Sequence, residues 1–157
     1  MLYQLILWAS SVAIFFGYLS YAYSKFGITR SISKTYYTLQ KKNKQLFQAA
    51  TISYGITLGL AGGHLLTYIA GALVALVGFA PDSKDSETEE KVHIVGATGG
   101  IVAAMIAMIH FGYWYLPIIQ AAFTAPAMKW SWKNHTYWIE VLAFVLTAGG
   151  ILAKILY

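Results

Sequence analysis

Few side chains in this sequence could do chemistry, and their order along the chain decides which of them could meet. The four histidines are His64, His93, His110 and His135, and Glu140 is the one acid outside a short acidic stretch. Cysteine is absent, which removes disulfides, thiolate metal sites and cysteine nucleophiles together. A catalytic zinc usually takes three protein ligands and keeps one position open, so two histidines can begin such a site but not complete it. No HExxH, no GxSxG elbow, no Gly-rich phosphate loop and no pair of acids inside an apolar block occurs.

What positions these residues is a series of long apolar blocks. Hydrophobic residues make up 58% of the chain and charged ones only 11%, against about 25% charged in soluble domains. The apolar residues come in runs rather than at amphipathic intervals, which is the pattern of bilayer spans. They predict an all-α polytopic transmembrane bundle, one domain over residues 1–157, with spans at 5–23, 46–62, 64–80, 92–111, 113–128 and 136–156. The first run has no positive n-region and outlasts a typical signal h-region, so it reads as an uncleaved span. Trp8, Tyr18, Tyr21 and Tyr23 are placed in it like interfacial anchors. Gly112 reads as the stop of the fourth span, Pro117 as a first-turn residue of the fifth and Pro126 as its end.

The topology turns on Leu46 to Pro81, which holds no Asp, Glu, Lys or Arg. As one helix it would be about 50 Å long at ~1.5 Å per residue, too long for a ~30 Å hydrocarbon core. A break at Gly62-Gly63-His64 gives two spans instead. The basic residues favour the break. Lys25, Arg30, Lys34, Lys41, Lys42 and Lys44 fall in one connection that has no acid, and the positive-inside rule puts it in the cytoplasm. Six spans place Lys129 and Lys133 on that same side and leave Lys154 alone outside, whereas five would move Lys84, Lys91, Lys129 and Lys133 out. Six spans with both termini outside, in a bacterial inner membrane, is the expectation.

This topology sorts the chemistry by face. His64 and His110 fall at the outer face, as a candidate metal pair without a third ligand or as interfacial histidines bonded to loop carbonyls. His93, His135 and Glu140 fall at the inner face with Ser33, Tyr36 and Tyr37, a candidate polar site. An ionisable residue inside a span is a functional candidate, but Glu140 in the first turn of its helix also suits the helix dipole and a Lys or Arg partner. The basic connection could hold anionic lipid headgroups or simply fix orientation. Gly55 with Gly59, and Gly96 with Gly100, form GxxxG steps that bring helices close, either within the chain or at a homodimer seam.

Ser31-Ile32-Ser33-x-Thr35-Tyr36-Tyr37, then Val77-Gly78-x-Ala80-Pro81, an acidic stretch, Lys91-Val92-His93, Tyr137-Trp138-x-Glu140 and Ala143-Phe144 form a recognisable series. On these residues the chain resembles small multipass membrane proteins of Bacteroidota and their crAss-like phages, which carry no assigned activity. The resemblance implies about six helices and points to Ser33, Tyr36, Tyr37, Pro81, His93 and Glu140. Ile32-Ser33 alone is similar to the Ile-Ser motif of the DRAM-like six-span proteins. The ceramidase-like membrane hydrolases are more distant, since their intramembrane Asp and paired late histidines have no counterpart here.

Three functions follow from these readings. The first is a non-enzymatic interaction or assembly role, with the bilayer, anionic headgroups, a second copy or another membrane protein as partner. The second is a small transporter or channel with a polar cavity near the cytoplasmic face. The third, a metal-dependent hydrolase, lacks its ligands. No cofactor is expected. The positive charge, +5 overall, sits in short connections between spans and marks topology rather than nucleic-acid binding.

Overall fold

The computed structural model describes residues 1–39, 44–79, 87–130 and 133–157, with the side chains of 37, 38 and 87–90 left out. Among these residues the chain is helical, without strands: α1 (Leu2–Phe26), α2 (Lys34–Thr38), α3 (Lys44–Gly62), α4 (Leu65–Phe79), α5 (Glu87–His110), α6 (Tyr115–Lys129) and α7 (His135–Leu156). Three helices, Leu2–Phe26, Lys91–His110 and His135–Leu156, are long and apolar enough to cross a membrane. The six longer helices alternate in direction. Contacts between α1, the α3–α4 turn, the end of α5 and the end of α7 define a tip end, and the segment around Arg30 with the start of α7 defines a basic end.

The stretch from Leu46 to Phe79 is a helical hairpin, not one long helix. Gly63 turns it, with φ at +60°, a left-handed conformation that costs glycine nothing. His64 then caps α4. Its Nδ1 accepts the Leu66 N–H at 3.2 Å, while its own N–H is donated to the Thr67 hydroxyl at 3.2 Å. This resembles a capping box with His and Thr in place of the usual Ser and Glu, except that His64 accepts from the second helical N–H rather than the third. The Thr67 hydroxyl lies 2.7 Å from the His64 carbonyl and 3.1 Å from that of Gly59, so it also ties the cap back to α3.

Small residues let the helices on either side of α4 close on it. A Cβ on Gly55 would stand 2.9 Å from the Ala75 nitrogen, and one on Gly59 would stand 3.0 Å from the Thr67 carbonyl oxygen. On the other side, a Cβ on Gly96 would meet the Leu73 carbonyl oxygen at 3.0 Å and one on Gly100 the Val74 side chain at 3.0 Å. Both GxxxG steps therefore face α4 of the same chain. Large apolar side chains point the other way, among them Ile6 and Phe16 on α1, Ile56 and Leu60 on α3, Ile106 and Ile109 on α5, and Ile118 on α6.

α7 joins this group through side chains rather than through close backbones. The Trp8 indole N–H donates to the Ala148 carbonyl at 2.8 Å, linking α1 to α7. The Gln120 amide donates to the Ile139 carbonyl at 3.2 Å, linking α6 to α7. Leu116 and Met108 close on Gly150.

Several sequence expectations change in detail. Tyr18 is buried in the bundle rather than at an interface, because its hydroxyl is held by Thr35, whereas Tyr23 is exposed. α6 runs through Pro126 to Lys129, and the Trp130 N–H bonds the Pro126 carbonyl at 3.0 Å. Proline lacks an N–H, not a carbonyl, so a helix can carry it near its last turn. The basic connection contains a helix of its own, α2, and α5 begins within the acidic stretch at Glu87.

Candidate functional site

At the basic end, the segment from Ile28 to Ile32 runs beside the start of α7 and is held there by its main chain. The Asn134 amide donates to the Ile28 carbonyl at 3.2 Å, the Tyr137 N–H to the Arg30 carbonyl at 3.0 Å, and the Ile32 N–H to Glu140 Oε2 at 2.6 Å. The first N–H groups of a helix have no partner within it, and here α7 finds one in a segment more than a hundred residues away. Asn134 adopts φ 58°, a left-handed conformation that asparagine tolerates better than most residues, and so turns the chain into α7.

Glu140 therefore has a partner other than the one its position suggested. Among the described residues no Lys or Arg pairs with it, and its bond is to a backbone amide. From Ile32 the polar contacts continue inward. The Thr35 hydroxyl lies 2.5 Å from the Ile32 carbonyl and also bonds the Tyr18 hydroxyl, with Thr35 only 1% exposed. The chain Glu140–Ile32–Thr35–Tyr18 thus connects α7, the 28–32 segment, α2 and α1. Ser31 and Ser33 hydroxyls stand 3.0 Å apart in the same turn, and Ser31 Oγ accepts the Lys34 N–H at 3.1 Å. Tyr36 packs on Phe47 with centroids 5.6 Å apart, under the Lys44 ammonium at 4.9 Å.

Above this network lies a cleft with a cavity volume of about 80 Å³, open at its mouth and bounded by α1, α3, α4, α5 and α7. Ser33, His93 and Glu140 line its basic end, while Phe15, Tyr54 and Phe144 line its middle. The three rings pack together, with centroids 4.5 Å apart for Phe15–Phe144, 5.0 Å for Tyr54–Phe144 and 5.1 Å for Phe15–Tyr54. Towards the tip end the walls are Thr67, Gly71, Thr147 and Ile151. The Tyr54 hydroxyl is buried without a hydrogen-bond partner among the described residues, a costly arrangement for a polar group.

The structure thus sorts the expected inner-face residues. His93 and Glu140, from α5 and α7, line one cleft with Ser33, although no hydrogen bond joins the histidine to the acid. Tyr36 is buried in the α2–α3 contact, and His135 stands at the first position of α7 without lining the cleft. Lys41, Lys42, Pro81, Asp82 and Asp85, and the side chains of Tyr37, Glu87, Glu89 and Glu90, lie outside what is described. Lys25, Arg30 and Lys34 are exposed at the basic end, as headgroup contacts would require.

At the tip end His64 and His110 do meet. Their rings stack with centroids 4.4 Å apart and planes 28° apart, and Phe111 stands edge-on to His64 at 5.6 Å. Among the described residues no group of three or more His, Cys, Asp or Glu gathers there or elsewhere. Nδ1 of His64 is already used in the α4 cap. Lys154 completes this end, donating to the Gly62 carbonyl at 2.5 Å with its ammonium 5.1 Å from the Phe111 ring. The tip is a packed cap in which His64 Nδ1 and Lys154 Nζ already have partners.

One group that lines the cleft escaped the sequence reading. The ring trio of Phe15, Tyr54 and Phe144 comes from three helices, and nothing in their spacing links them. Phe144 could have been tied to Glu140, since residues four apart share a helix face. No protein-family model, curated protein or solved structure matches this chain.

Proposed function

We propose that this chain is a six-span integral membrane protein that binds a small apolar-bodied solute in the cleft, as a carrier or binding protein rather than an enzyme. The observation that carries the reading is the cleft itself: His93 and Glu140, far apart in sequence, line the basic end of one otherwise largely apolar space. Its proposed setting is a bacterial inner membrane, with the basic end cytoplasmic and both chain ends on the opposite side. The outward-facing Ile, Leu and Phe side chains support a lipid surround. The shorter helices α4 and α6, 15 residues each, are accommodated by local thinning of the bilayer and by flanking side chains that reach the interface.

Two experiments test this. Because the chain has no cysteine, single replacements Lys133→Cys and Tyr157→Cys can be labelled with an impermeant maleimide on intact cells. Labelling of Tyr157→Cys alone is expected, and equal labelling of both sinks the six-span arrangement. For the cleft, protein in lipid nanodiscs should bind an aromatic probe such as tert-butylbenzene or phenyltrimethylammonium saturably. Ala97→Phe, which fills the cleft, should remove that binding, and its persistence would place the probe elsewhere.

A second reading draws on the exposed Lys25, Arg30 and Lys34. Interaction with anionic headgroups there, at about 1 kcal/mol per basic residue near the surface, would make the protein an assembly element of the membrane. It predicts binding to anionic vesicles that Lys25→Gln, Arg30→Gln and Lys34→Gln weaken.

A further inference from the structure

We propose that the cleft takes a small organic cation, a quaternary ammonium or protonated amine on an apolar body, with its charge held between the Glu140 carboxylate and the neighbouring rings. This rests on the cleft-binding reading and adds the charge of the ligand.

The argument begins with what surrounds Glu140. It lines the cleft, and its one bond among the described residues is the Ile32 N–H to Oε2. No Lys or Arg among the described residues lines the cleft. A carboxylate with one amide partner in apolar surroundings is under-compensated, and removing such a charge from water is expensive unless a proton or a counter-charge accompanies it. A cationic ligand supplies that counter-charge. An anion would meet the same carboxylate with the wrong sign, and a neutral hydrocarbon would cover it without pairing it.

The rings add a second preference for the same ligand. Phe144 lies one turn beyond Glu140 on α7 and so shares its face. It packs against Phe15 and Tyr54 at 4.5 and 5.0 Å. Nearer the basic end, Tyr18 and Phe47 also line the cleft, with centroids 5.8 Å apart. Ring faces attract cations, more so where water is excluded, and quaternary ammonium groups are well suited to them. The helices opposite offer small residues, Gly55, Gly71, Ala97 and Gly100, against which an apolar body can lie. His93 faces the same basic end and can exchange a hydrogen bond with a polar headgroup. A bare metal ion fits less well, because among the described residues no further acid or histidine gathers with these two to complete its coordination.

The test uses the full chain in zwitterionic-lipid nanodiscs, titrated with phenyltrimethylammonium, its neutral isostere tert-butylbenzene, and benzenesulfonate, with empty nanodiscs subtracted. The cation is expected to bind saturably and at least about tenfold more tightly than the neutral isostere, with no saturable binding of the sulfonate. Glu140→Gln should weaken the cation at least about tenfold and leave the neutral probe unchanged. Gln can still accept the Ile32 N–H, so the segment stays docked, and a thermal melt checks that the variant is folded. Glu140→Asp, which keeps the charge, should retain a preference for the cation. If Glu140→Gln binds the cation as well as the parent does, or if the neutral isostere binds equally tightly, the charge proposal falls while the cleft reading stands. Saturable binding by none of the three probes overturns both.

Discussion

The two flanks of the bundle are built on different rules. Around α4, glycines bring α3 and α5 to near backbone contact, and this packed face forms one wall of the cleft. Around α7, a tryptophan, a glutamine, a glutamate and a trio of rings make the joins, and a cleft remains between them. Close packing fixes geometry through many small contacts that tolerate no added atom. Side-chain bridges fix it at a few points and permit a void. The difference separates the part of this molecule that sets the shape from the part that can hold something.

That contrast can be broken most forcefully at Gly71. An added methyl there would have to displace the main chain of α3 at Gly55, so Gly71→Ala is expected to cost about 3 kcal/mol, measured by unfolding in mixed micelles. A loss below about 0.5 kcal/mol would show that the seam yields and that the two flanks are not so different.

Next comes the polar join. Glu140→Leu strands the Ile32 N–H and should cost about 1 to 3 kcal/mol, with faster hydrogen exchange at Ile32 and at Tyr137. Glu140→Gln should cost less, since an acceptor remains. Exchange unchanged in the leucine variant would mean the segment from Ile28 to Ile32 is held by something other than Glu140.

The α4 cap is expected to matter less. Thr67→Val removes both the acceptor for His64 N–H and the bond to Gly59, for about 1 kcal/mol. The smallest effect belongs to Gly149, where a Cβ would meet nothing within 4 Å. Gly149→Ala should leave stability level or raise it by about 0.5 kcal/mol through helix propensity. A loss there comparable with Gly71→Ala would erase the contrast between the flanks.

These residues also show what the sequence could and could not disclose. The turn at Gly63-His64 was legible because chain length and bilayer thickness conflict there, and Gly-Gly-His offers the only local release. The glycine steps announced close packing but not with which neighbour. α2 was not legible, since a helix of 5 residues is held by contacts of Thr35 and Tyr36 rather than by any pattern of its own. The partner of Glu140 was hidden for a related reason. A backbone amide has the same chemistry at every residue, so no side-chain type at position 32 could advertise it. The position of Glu140 near a helix start suggested pairing with a basic side chain, and the fold supplied the main chain of a distant segment instead.

The placement of α7 has a consequence for how the chain is assembled. Glu140 near its start captures the Ile32 amide and Lys154 near its end captures the Gly62 carbonyl. Both targets belong to segments synthesised well before α7, and both wait unpartnered until it arrives. A nascent chain halted before residue 135 would therefore hold a packed α3–α4–α5 core with an undocked segment at one end and an unlatched hairpin turn at the other. The last helix acts on the first half of the chain as a late clamp, so a ribosome-bound intermediate should gain protection at Ile32 and around Gly62 in the same step.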